Sequence, residues 1–507
     1  MKSIYYLLFL LLGTSFTLFG QTLDDTFSQK KMQKDLKVFK NIREEANSGL
    51  YTYRSKQEID SIYDWAFEEI KNLNTYRDFY NLIAYLTDYE GSLHNSTYLA
   101  DAIQANTIKE TEGYFPIPLK VIEGNLVVNS KAFDIPLGAE IVSINEHPME
   151  ELIKATGMYY TTDGYNETGR WMGLDMSFSR YYRYYYGKSD DFTVVYKGIG
   201  QNNKKQAVVK SVGFEEYLQN DSQRHSKEID EIRYDDLDDV KEYTFNKIDS
   251  STAILTIHTF SLDDKIYEKY LDSVFTDLKE HKYENLIIDI RNNGGGSKPN
   301  DMLTVAYLAD TPQKEVAEAW ISFTNGMPYW KYFYLDIPFY QRPIARVKFK
   351  KYMKNEVPIV KNGRRYYRDI EIYEPRENRF EGQVYLLISP AVASAASLFA
   401  ALVKSNTKAI VIGEETSGGY YEHNGSFAVY YKLPKSKLYT NFSIANLTQD
   451  VKELDSQPFG RGVMPDIEVT QSLEDFLENR DTQMEFTLKI IEENKHSLKI
   501  NREKIKK

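Results

Sequence analysis

The chain has 507 residues, a formal net charge of -11 and no cysteine. Its 42% hydrophobic and 27% charged content fits a folded protein with a sizeable core, and roughly 100–200 residues per domain suggests about three domains. The acidic balance excludes general nucleic-acid binding, which needs a basic footprint, and the missing cysteines exclude disulfides, thiolate metal sites and a cysteine nucleophile.

Residues 1–20 place Lys2 before an apolar run, Ile4–Leu12, followed by small and polar residues up to Gly20-Gln21. This pattern predicts a cleaved export signal, hence a secreted or periplasmic protein with no integral membrane span once the signal is removed. An uncleaved anchor is the alternative. Residues 21–110 have almost no Gly or Pro, and Thr52–Leu73 and Tyr76–Tyr89 carry apolar residues at three- and four-residue spacing, so this is a helical N-terminal domain. From Gly113 the pattern changes to strands. Tyr114–Val128 reads as a hairpin turning at Gly124-Asn125, and Gly138…Ile141-Val-Ser-Ile-Asn145 resembles the turn that closes a PDZ domain, so residues 111–200 are expected to form a PDZ-like domain. Its carboxylate-binding loop is not visible, which leaves a shielding role open beside peptide capture. The Tyr-rich stretch Tyr160–Tyr186 reads either as aromatic filling of core and rim or as a carbohydrate or adhesion surface.

Residues 201–246 interleave acidic and basic side chains and are expected to be a charged surface connector. From 247 to 485 the chain alternates buried strands (Ala253–His258, Asn285–Ile290, Val384–Ile388, Ala409–Ile412) with helices (Asp263–His281, Ser394–Ser405), which predicts a mainly parallel sheet. Residues 486–507 read as a charged C-terminal helix or tail. The fold class is therefore α/β and multidomain.

Two strand ends carry chemistry. After Asn285–Ile290 come Gly294, Gly295 and Gly296, whose backbone can approach a substrate closely and whose N–H groups can face a developing negative oxygen. After Val384–Ile388 a run of small residues leads to Ser394 at the start of a helix, where a serine serves either as an N-cap or as a nucleophile. Together the motifs resemble the tail-specific (carboxyl-terminal processing) serine peptidase superfamily, which includes the tricorn core proteases. The resemblance rests on Asp289-Ile-Arg-Asn-Asn-Gly-Gly-Gly, Ser394-Ala-Ala-Ser-Leu-Phe-Ala, Ile410-Val-Ile-Gly-Glu-Glu-Thr-Ser-Gly-Gly and Gly462-Val-Met-Pro-Asp-Ile-Glu-Val. It implies a crotonase/Clp-like catalytic core, Ser394 as nucleophile, and an oxyanion hole built from the N–H of Gly294 or Gly295 and that of Ala395. It implies no metal and no organic cofactor. The processing branch uses a Ser–Lys dyad, but Gly419 stands where its lysine falls, so the chain looks like the tricorn-type branch.

A serine hydroxyl needs a base to take its proton. Of seven histidines, His225, His281 and His496 sit in charged helical or linker contexts, and His147 precedes Pro148 in the PDZ-like turn. The resemblance selects His94, in Asp88-Tyr-Glu-Gly-Ser-Leu-His-Asn-Ser-Thr, with His258 and His423 as alternatives. Ser92 and Ser96 are candidates to orient its ring, and Glu453 or Asp455 to supply the family's late acid, while Glu414 and Glu415 read as structural. The expected function is a serine endopeptidase acting on a peptide or protein. The alternative is a catalytically inactive binding protein for an apolar ligand or peptide, because the resemblance extends to the interphotoreceptor retinoid-binding proteins.

Overall fold

The computed structural model describes residues 21–226, 242–296, 299–368 and 370–505, the stretch 495–505 as backbone only. The expected signal, most of the second half of the connector and His496 lie outside the described residues or side chains.

The N-terminal helices are Gln29–Ala46, Lys56–Glu69 and Tyr76–Tyr89. The last two begin at capping boxes, Ser55 with Glu58 and Thr75 with Asp78, in which side chain and backbone satisfy each other's open donors. Their apolar faces close on Leu36, Phe39, Ile59, Tyr63, Phe79 and Ile83, and Leu433 and Leu438 from far along the chain complete that core.

A small antiparallel sheet follows, in the order Leu119–Ile122, Asn125–Val128, Glu140–Ile144, Asp191–Lys197, Lys204–Lys210. Two details differ from expectation. Ile122 pairs with Asn125, so the hairpin turns at Glu123-Gly124, both with positive φ, one residue earlier than the Gly124-Asn125 placement. The domain also does not end at residue 200. Lys204–Lys210 is its edge strand, exposed on most side chains, and Val212 bridges back to Tyr114. Charge on an exposed edge strand protects it from pairing with other chains and looks like a connector in sequence. The Tyr-rich helix Thr168–Tyr186 packs inward. Tyr159 stacks on Tyr80 and Tyr181 with ring centroids 5.7 and 5.1 Å apart, so these tyrosines join the helical domain to the small sheet, the filling role of the two expected.

The large sheet of the C-terminal half has the order Ile467–Glu468, Ile410–Gly413, Gln383–Ile388, Asn285–Asp289, Thr252–Ile257, Tyr243–Lys247, parallel except for the last strand. The observed strands lie within one or two residues of the predicted ones. A second sheet was not foreseen. It is antiparallel and centres on the eleven-residue strands Glu422–Lys432 and Tyr439–Gln449. At one end of it Ser96–Tyr98, from the N-terminal domain, pairs with Tyr439–Asn441. That pairing brings the segment bearing His94 onto the core.

Candidate active site

The strand Gln383–Ile388 is buried almost throughout and delivers the chain to Ser394, which takes φ 51° and ψ -129°. A non-glycine residue avoids that conformation, and strain of this kind costs about 1–3 kcal/mol. The Ser394 hydroxyl does not cap its own helix, Ala395–Asn406. It lies 3.2 Å from Nε2 of His94 instead. The N-cap reading is thereby replaced by a serine–histidine pair, although the two residues are 300 positions apart in sequence.

His94 is enclosed, and burial pushes its pKa down to about 4, with the nearby Asn424 backbone pulling weakly upward. Its ring is therefore neutral at pH 7, the form that can accept a proton. The loop around it is held from outside. Asp163 accepts from the Leu93 N–H at 2.9 Å and from the Gly419 N–H at 2.8 Å, and Thr161 Oγ1 donates to the Asn95 carbonyl at 2.7 Å. Burial raises the Asp163 carboxyl to about 7, against the pull of those two amides. One carboxyl thus ties the loop of His94 to the loop beyond the helix that Ser394 precedes. In sequence Asp163 was one acidic residue in a Gly- and Tyr-rich stretch, and nothing local marked it.

Asn293 organises the opposite wall. Its Oδ1 accepts from the Gly295 N–H at 2.8 Å, its Nδ2 donates to the Ile257 carbonyl at 3.1 Å, and its own carbonyl accepts from Ala393 at 3.3 Å. Gly295 has φ 104°, and a Cβ there would stand 2.8 Å from the Ser394 Cβ and 3.0 Å from the Ala395 nitrogen. Only glycine fits this approach. Because the Gly295 N–H is spent on Asn293, it is not free for an oxyanion, which corrects one of the two expected glycine donors. The N–H groups of Gly294 and Ala395 have no protein acceptor among the described residues.

Residues 251–469 match the family described as Peptidase family S41. Over that stretch, which holds the parallel sheet, Ser394 and the long antiparallel strands, the chain is similar to this peptidase family. No curated protein matches the sequence. Among solved structures the chain is similar to mature CPAF, at 13% identity and TM-score 0.55, and to a CPAF point mutant, at 14% and 0.57; each comparison covers 88% of this chain and 94% of that one. It also matches the photosystem II D1 C-terminal processing protease at 13% identity, covering 87% of this chain and 93% of that one, with a TM-score of 0.38. At these identities the likeness speaks to the fold.

The S41 motifs divide into site and scaffold. Arg291 pairs with Asp289 and Asp481 on the sheet, and Glu415 accepts from Arg461 and from the Gly462 N–H, the structural role read for it. Gly419 is closed to a lysine: a Cβ there would lie 2.5 Å from the Glu422 carbonyl oxygen and 2.8 Å from Tyr53 Oη. His423 stands beside the pair, its ring 6.5 Å from that of His94, and burial depresses its pKa to about 3. His258 follows its strand, its Nδ1 without a partner, and makes no hydrogen bond to Ser394.

The expected supports of the imidazole are not there. His94 Nδ1 has no hydrogen-bond partner, and neither has Ser92 Oγ, while Ser96 sits in the strand paired with Asn441. Glu453 is exposed beside Lys452, whose N–H donates to Ser405 Oγ at 2.8 Å at the far end of the helix Ala395–Asn406. Eleven residues of helix separate Ser405 from Ser394, about 16 Å. Glu453 and its exposed neighbour Asp455 therefore do not support His94. Among the described residues no group of three or more His, Cys, Asp or Glu could hold a metal.

Proposed function

We propose that the chain is an active serine endopeptidase in which Ser394 is the nucleophile and His94 the base. The observation that carries this reading is the 3.2 Å approach of the Ser394 hydroxyl to a neutral, buried imidazole across two domains. A serine kept in a strained backbone and not used as a cap is poised for attack rather than for structure.

In this reading Ser394 Oγ adds to the peptide carbonyl as its proton passes to His94 Nε2. The tetrahedral oxyanion takes hydrogen bonds from the Gly294 and Ala395 N–H groups. His94 returns the proton to the leaving amine, and water then cleaves the acyl-enzyme by the same route. The substrate is a peptide or protein. The apolar run at residues 1–20 supports export to the periplasm or beyond, and no described helix is long and apolar enough to cross a membrane. N-terminal sequencing of the protein recovered from the periplasm, with a start at Gln21 or close to it, is the check on export.

A fluorophosphonate probe tests the site. Labelling of the intact chain is expected at Ser394, to be lost in Ser394→Ala, and to fall on the order of 100-fold or more in His94→Ala. A folded protein that never labels would instead be a binding protein on the peptidase scaffold. Wild-type labelling in His94→Ala would move the base to His423 or His258.

A further inference from the structure

The strand Glu422–Lys432 leads from the site to an apolar groove of about 420 Å³. Its walls include Trp330, Phe333, Phe349, Tyr352, Phe427 and Tyr430. One wall is the helix Arg342–Glu356, which carries six basic residues and a single acidic one in a chain of net charge -11. Arg342 is occupied by the Trp330 and Phe333 carbonyls. Arg346, Lys348, Lys350, Lys351 and Lys354 have no carboxylate partner among the described residues, and all five are exposed. Beside them Phe339 is 85% and Val347 67% exposed.

The groove and the site lie along the same antiparallel sheet. Ser96, two residues after His94, pairs with Asn441, and Asn441 pairs with Tyr430. Directly opposed residues of antiparallel strands share a face, and adjacent strands lie about 4.8 Å apart. Tyr430 is therefore about 10 Å from Ser96 on the face that carries Asn441, whose Nδ2 reaches the His94 carbonyl at 3.5 Å. An extended chain of a few residues is long enough to cover that distance. A concave apolar groove accepts side chains, whereas a flat membrane needs a convex contact. Lys348 lines the groove, and it and the other unpaired cations of its helix favour the opposite charge.

We infer that this groove is an exosite for a substrate segment that alternates apolar and acidic side chains, seated on the unpaired cations of Arg342–Glu356. The term substrate rests on the peptidase reading, but the binding does not need turnover, so the two can fail separately. The test uses the full chain as Ser394→Ala and a fluorescein-labelled peptide of about ten alternating Glu and Phe residues, read by fluorescence anisotropy. The Glu peptide should bind at least about tenfold tighter than its Lys counterpart, and more tightly as salt is lowered. The double variant Lys348→Glu, Lys351→Glu should weaken it by about tenfold, and Tyr430→Ala by about fivefold, with circular dichroism unchanged. Lys269→Glu on a distant helix should leave it unchanged. Equal affinity for both peptides, or no effect of the charge reversal, overturns the proposal. So does binding confined to phosphatidylglycerol vesicles, which would make the face a lipid contact. Tight peptide binding in a protein whose Ser394 never labels would keep the exosite and discard the peptidase.

Discussion

At Ser394, strain and function meet in one dihedral. Glycine takes φ 51° without the steric penalty that serine bears, so Ser394→Gly should raise the free energy of unfolding by about 1 kcal/mol while abolishing labelling. Urea denaturation measures the first effect; an unchanged or lower midpoint would show that the strain is not stored there. Asp163 gives the opposite signature. Asp163→Ala leaves two buried amides, Leu93 and Gly419, without acceptors, and should cost about 2–4 kcal/mol and slow probe labelling as the His94 loop loosens. Gly419→Lys supplies the lysine that the processing branch uses but no room for it. It should lower the melting temperature and leave His94→Ala unrescued in the labelling assay.

At the scale of elements, the parallel sheet was legible because its strands are short continuous apolar runs, such as Leu286-Ile-Ile between Asn285 and Asp289. The Ser394–His94 pair was legible by resemblance, the motifs around Ser394 being local in sequence. The second sheet was not, since Glu422–Lys432 and Tyr439–Gln449 owe their burial to partners hundreds of residues away. Arg43 shows the point. It is fully buried in the helix Gln29–Ala46 and donates to Thr440 Oγ1 at 2.8 Å and to the Asn441 carbonyl at 3.2 Å, with Glu90 3.3 Å from its Nε. Helical periodicity places a charge there without saying what neutralises it. Burial raises Glu90 to about 7 despite that guanidinium. Removing Arg43 strips the pair of its cation and the strand of two hydrogen bonds. Arg43→Leu should therefore cost about 3 kcal/mol in urea denaturation, and Glu90→Gln in the same chain should recover part of it.

For the whole molecule, His94 and Ser394 belong to different parts of the fold, so their pairing exists only while those parts stay docked. Two imidazoles are enclosed in that junction. His94 is depressed to about 4 and His423 to about 3, both chiefly by burial, while an unfolded histidine titrates near 6.5. A depressed pKa means that the unfolded chain takes up protons the folded one refuses. The stability they contribute is complete above pH 6.5 and is lost as pH falls toward the folded values, for His94 on the order of 3 kcal/mol. The double variant His94→Gln, His423→Gln lacks this loss. Its stability relative to the parent should therefore rise steadily as pH is lowered from 7 to about 4.5, whatever its offset at pH 7. Urea midpoints across that range measure the difference, and a constant difference would show that the two rings are not held neutral by the junction. The same burial sets the acid limb of reactivity: probe labelling at Ser394 should persist below pH 6.5, because the base stays unprotonated for as long as the domains hold together.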